Sequence, residues 1–311
     1  MTVGSLSGIR LRRRSLSAAL ALLGWVQLGC ASSHAVPPRA PALAASGDAV
    51  PPDLDLVVRV DLAKVRAALG PAGLALVRRG AASTVAADGA TALVASALEQ
   101  SDTAILAVRP ELIPGEADNV LVLAGHFAGL GVDQALRQSG WSGATNLGGD
   151  VRRFDRFGKV GRASAARVYA FGDAALIFVS PAEIDSVEAV VERGMAPNPL
   201  RPKANGVLAF AARVRALRLG LGAQYPSLAD AVGDAARVEG NVDSTGVGLA
   251  VELELELPSE AAATASAAAL GRVQQAVAST EGKLGTMAHD TKVEAVGRSV
   301  VLRLSLERGI L

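Results

Sequence analysis

The sequence predicts an α+β fold, built as two tandem repeats of an antiparallel sheet with helices packed on one face. Three observations lead there. Residues 168–180 and 293–305 read alike, with Val, Ala, Gly and Ser at matching offsets. Each is a short strand, a turn at Gly172-Asp173 or Gly297-Arg298, and a second strand, which is the turn chemistry of a β-hairpin. Leu56, Val58 and Val60 alternate and give way to helical spacing at Leu62, Val65 and Leu69, as Leu208, Phe210 and Ala212 alternate before Val214, Leu217 and Leu221. In 246–257, finally, Val251, Leu253, Leu255 and Leu257 fall on one side and Glu252, Glu254 and Glu256 on the other. One face of that strand is buried and one faces solvent.

Between these bookends the elements follow in order. The first half, 53–200, reads as a helical stretch at 85–99, strands at 103–108 and 119–127, a helix at 131–139, an extra strand at 150–155 and a helix at 182–193. The second half, 201–311, reads as a helix at 225–234, strands at 236–242 and 246–257, and a long Ala-rich helix at 259–279. Pro258-Ser259-Glu260 supplies the start signal of that last helix, because a serine hydroxyl there accepts from an otherwise unpaired amide.

Composition bounds the function. Half of the residues are apolar but only 3% are aromatic, so the core is built from Leu, Val and Ala. About 260 residues follow the N-terminal region, enough for one large or two small cores. Beyond residue 29 there remain 27 basic and 30 acidic residues, and this near-balance argues against a nucleic-acid partner.

The N-terminus carries an address. Arg10, Arg12, Arg13 and Arg14 form a basic stretch, 18–29 form an apolar run, and Leu28-Gly29-Cys30-Ala31 closes it with the only cysteine of the chain. A dozen apolar residues are too few to span a bilayer core, which needs about 20, so the run reads as a secretion signal over 1–29. On these residues the segment resembles a bacterial lipoprotein precursor, with Gln27 standing where that family usually places Leu. The resemblance implies thioether lipidation of Cys30, cleavage before it and acylation of the new N-terminus. An ordinary secretory signal cut near Ala31 is the other reading of the same residues. Arg13-Arg14-Ser15-Leu16 also resembles a twin-arginine export signal, although Ser17 breaks its second apolar position. Residues 30–52, rich in Ala, Ser and Pro without an apolar period, are expected to be the lipidated cysteine and a disordered tether.

Motifs for catalysis are scarce. His34, His126 and His289 share no local spacing, so His-Glu-x-x-His zinc chemistry has no basis here. His126 reads as a structural or edge residue of a strand, and His289 as part of a polar loop. Gly140-Trp141-Ser142-Gly143-Ala144 approaches a nucleophile elbow but ends in Ala and follows a helix. Gly129-Leu130-Gly131 and Gly220-Leu221-Gly222 are too short to cradle phosphate. The glutamate row at 252, 254 and 256 lacks the Asp/Asn/Gly loop of a calcium site and reads as a solvated face. We therefore expect no catalytic residue, no cofactor and no metal.

One segment offers a partner surface. Arg152, Arg153, Arg156, Lys159, Arg162 and Arg167 crowd into 150–167 with Phe154 and Phe157, and Gly158 and Gly161 mark a loop. Cations beside aromatic surface fit an anionic lipid headgroup or an acidic partner. The expected function is a membrane-anchored envelope lipoprotein, facing the periplasm or at the outer membrane, with a non-catalytic interaction or binding domain. The alternative is a periplasmic carrier or chaperone for an apolar ligand, and a hydrolase without a recognisable motif comes third. The oligomeric state is not written in the sequence.

Overall fold

The alternating runs form strands that join one antiparallel sheet in a computed structural model of the chain. The structure describes residues 28–29, 46–68, 70–71, 73, 75, 91–109, 117–156, 165–203, 206–215, 226–245 and 248–307. The strands are β1 (Leu28–Gly29), β2 (Leu56–Asp61), β3 (Ser101–Arg109), β4 (Ala117–Gly125), β5 (Thr145–Gly148), β6 (Val151–Asp155), β7 (Arg167–Phe171), β8 (Ala175–Val179), β9 (Leu208–Arg213), β10 (Arg237–Ser244), β11 (Gly248–Glu256), β12 (Lys292–Val296) and β13 (Ser299–Glu307). Their order is β12-β13-β11-β10-β9-β2-β3-β4-β8-β7-β6-β5, with the two-residue β1 lying parallel to β4 beside Ala117 and Asp118.

Strands β2 and β9 meet at the middle, antiparallel, with Leu56 opposite Ala212, Val58 opposite Phe210 and Val60 opposite Leu208. From β2 the sheet continues outward through β3, β4, β8 and β7, and from β9 through β10, β11, β13 and β12. Gly172 and Gly297, at φ 50° and 58°, turn the β7–β8 and β12–β13 hairpins in the left-handed region that glycine enters without a Cβ clash. On β10, Gly240 lies under the Phe210 ring, where a Cβ would stand 2.0 Å from Cε1; the bare backbone is what lets the ring lie flat.

Helices pack on the front face of both halves of the sheet. The helical residues 62–68 (α1), α2 (Thr91–Gln100) and α3 (Val132–Gln138) bury Leu62, Leu93, Leu98, Val132 and Leu136 against Leu121, Leu123, Phe154 and Phe178. On the other half, α5 (Pro226–Val232) and α6 (Glu260–Ala278) pack Val232, Ala263 and Leu270 on Phe210, Val238, Leu255 and Val300. As expected, Ser259 caps α6, its Oγ accepting from Ala262 N at 3.1 Å. A further helix, α7 (Lys283–Asp290), stands where a polar loop was expected around His289. Gln274 of α6 donates to Ala288 O and Thr291 O, at 2.8 and 2.6 Å, and fixes its C-terminal end.

The back face corrects the expectation of helices on one face only. Ile105, Ala107, Val120, Val122, Ile177 and Val179 point backward and are sealed by α4 (Ile184–Val191) through Ile184, Val187 and Val191. A strap over 46–55 closes the same side with Ala49, Val50 and Leu54, all 1% exposed or less. Residues 46–52 were expected to belong to the tether; they are instead part of the body. Asn198 holds them in place, its Nδ2 donating to Pro51 O and Leu54 O at 2.6 and 2.9 Å. Beyond β9 the back face is charged: Glu252 and Glu254 point outward as their alternation requires, paired with Arg303 and Lys203.

Candidate functional site

Strand β6 divides the predicted cationic segment between the two faces. Arg152 and Phe154 point to the front, where Arg152 pairs with Asp133 of α3. Arg153 and Asp155 point to the back, toward α4. Arg156 follows, half-buried, at an isolated bridge opposite Trp141. Lys159 and Arg162, with Phe157, Gly158 and Gly161, lie outside the described residues, as does Cys30.

Arg153 is 5% exposed and joins a buried ionic cluster, so it is committed within the fold rather than offered to a partner. The cluster forms because β6 and β7 are paired with Arg153 opposite Tyr169 and Asp155 opposite Arg167, while α4 presents Glu188 and, one turn on at its C-cap, Glu192. Arg167, wholly buried, donates through Nε to Asp155 Oδ1 at 2.7 Å and through Nη1 to Glu188 Oε2 at 2.9 Å and Tyr169 Oη at 3.0 Å. Tyr169 Oη in turn donates to Glu192 Oε1 at 2.8 Å, which also accepts from Arg153 Nη1 at 3.2 Å. The Arg167 guanidinium stands 5.6 Å from the Tyr169 ring centroid, within reach of a cation–π contact.

The electrostatics of this cluster are those of a clamp. Burial, with Glu192 adding to it, pushes the Tyr169 phenol far above its ordinary range despite the pull of Arg167, so the phenol stays a hydrogen donor. Burial works against the charge of Arg167, but Tyr169, Asp155 and Glu188 outweigh it and hold the guanidinium above its ordinary value. Two guanidinium groups face three carboxylates; Arg153 Nε stands 3.2 Å from Asp155 Oδ2 as an ion pair, and among the described residues Arg167 Nη2 has no hydrogen-bond acceptor. The arrangement fastens α4 to the sheet.

A second ionic group clips the strap. Arg109 at the end of β3 donates through Nε and Nη2 to the two oxygens of Glu183, at 3.0 and 3.3 Å, and also contacts Asp53. Burial pushes the Glu183 carboxyl above the usual range, Arg109 pulls it back, and Asp53 and Asp118 reinforce the rise. Nearby, the buried Asp55 accepts from Arg213 Nη1 at 2.9 Å and from Arg215 Nε at 2.9 Å, tying the start of β2 to the end of β9.

Two surface features of the described residues stand out. An open depression of about 370 Å³ lies between the turns at 148–150 and 172–173, lined by Asn146, Gly149, Asp150, Arg152, Gly172 and Asp173. An anion approaching Arg152 there meets Asp133, Asp150 and Asp173, so the expected anionic contact has no support at this residue. On the front face, above the β2–β9 seam, Leu56, Val60, Leu106 and Leu208 are only half-buried although both helical layers reach toward them. This apolar strip was not foreseen; the seam itself is invisible in local pattern.

The other residues singled out in the sequence are dispersed. Ser142 Oγ accepts from Asp155 N at 2.8 Å, a bond that sets the approach to β6. His126 lies just past β4 rather than within a strand, its side chain 93% exposed with Asp102 at 4.0 Å. His289 sits on α7 with its neighbour Asp290. Among the described residues no three His, Cys, Asp or Glu side chains converge to hold a metal. No described helix is long and apolar enough to cross a membrane.

No protein-family model and no curated protein matches the chain. Among solved structures it is similar to TP0453. Crystal form I superposes with a TM-score of 0.50 at 9% identity, over 86% of this chain and 95% of that one. Crystal forms IV and III give TM-scores of 0.47 and 0.48, at 10% and 9% identity, over 84% and 88% of this chain and 92% and 95% of theirs. The open antiparallel sheet with its helices is thus an α+β fold that this chain has in common with TP0453.

Proposed function

We propose that the chain is an envelope lipoprotein, anchored through Cys30, whose body is a non-catalytic interaction or binding domain facing the periplasm or at the outer membrane. The observation that carries this reading is the order of basic stretch, short apolar run and single cysteine at 10–30. Residues 31–45 then separate Cys30 from the strap; at no more than about 3.6 Å each they let the body stand up to roughly 50 Å from the anchor. An acyl chain contributes about 0.8 kcal/mol per buried methylene, so two or more chains hold the protein firmly. Partners on this reading are the membrane itself and an envelope protein or anionic lipid.

Mass spectrometry of the mature N-terminal peptide tests the proposal. An acylated Cys30 as first residue is expected, and Cys30→Ser is expected to move the protein from the membrane fraction to the soluble one. An unmodified N-terminus beginning beyond Cys30 would overturn it.

We further propose that 53–200 and 201–311 are repeats of one unit. The matching strand order on either side of the β2–β9 seam and the like-placed Gly172 and Gly297 hairpins support this. A second reading, a carrier for an apolar ligand, is favoured by the half-buried strip of Leu56, Val60, Leu106 and Leu208. An environment-sensitive fatty-acid probe should then brighten on binding the unlipidated body and lose that response with Leu106→Asp. No response from the folded wild-type body would remove the carrier.

A further inference from the structure

No further inference is drawn: the strongest candidate, the charged back face of β10, β11, β13 and β12, carries carboxylates and cations that already pair with one another, and nothing in the structure shows what covers it.

Discussion

Replacing Arg167 by Met keeps an unbranched apolar stem and removes the guanidinium with its charge. Asp155 and Glu188 then lose their bonds to Arg167, and Arg153, whose Nε is 3.2 Å from Asp155 Oδ2, is left to face three carboxylates in a site where Arg167 and Tyr169 are wholly buried. Removing one partner of a buried ion pair costs about 3–5 kcal/mol, because the charge left behind is poorly compensated away from water. For a body of this size each kcal/mol lowers the melting temperature by roughly 2–4 °C, so a fall of about 10 °C is expected. The paired change Arg167→Met with Glu188→Met restores the charge balance of the cluster and replaces the pair by packing methylenes, so it should cost only about 1–2 kcal/mol. Urea denaturation followed by far-ultraviolet circular dichroism, with midpoint and slope fitted for all three proteins, makes the comparison. If the single variant lies within about 0.5 kcal/mol of wild type, or the double variant is no better than the single, the clamp reasoning fails.

Glu183 gives a pH signature. With its carboxyl raised by burial, the native state binds its proton more readily than the unfolded chain does, so this group's contribution to stability grows as pH falls from neutral toward the ordinary carboxylate range and is lost as pH rises through the raised value. Stability measured at pH 7 and pH 5 should therefore improve more on acidification in wild type than in Glu183→Gln; equal changes would contradict the burial account. At the β12–β13 turn, Gly297→Ala should cost about 1 kcal/mol in the urea midpoint, since a Cβ there meets no atom within 4 Å and only the left-handed backbone is penalised. A neutral result would mean that the turn relaxes to negative φ.

How much of this was legible depended on which faces a strand buries. The alternation of 246–257 disclosed its one solvated face because Glu252, Glu254 and Glu256 interrupt the apolar side chains at every second position. In β3 the run Ala104-Ile105-Leu106-Ala107-Val108 has no such interruption, and that continuity is the signal of a strand covered on both sides, which the reading of one-sided helices passed over. The strap escaped because Ala49, Val50, Pro51 and Pro52 have the composition of a linker; what orders them is Asn198, about 150 positions away. Arg153 and Arg167 looked like surface cations for the same reason. Their partners Glu188 and Glu192 come from a separate helix, and only the strand register brings them together. Helix α7 is short, contains Gly285 and has little apolar content, so no periodicity announced it.

The position of β2 has a mechanical meaning. The strap leads directly into this strand, which is flanked on both sides, by six residue pairs with β3 and five with β9. A pull on the N-terminus along the strand axis does not peel an edge open one bond at a time. It loads both ladders in shear, so that many hydrogen bonds must yield together, with the Asp55 contacts to Arg213 and Arg215 resisting at the point of entry. Tension at the start of β2 is thus delivered to the middle of the sheet, where the two halves share it.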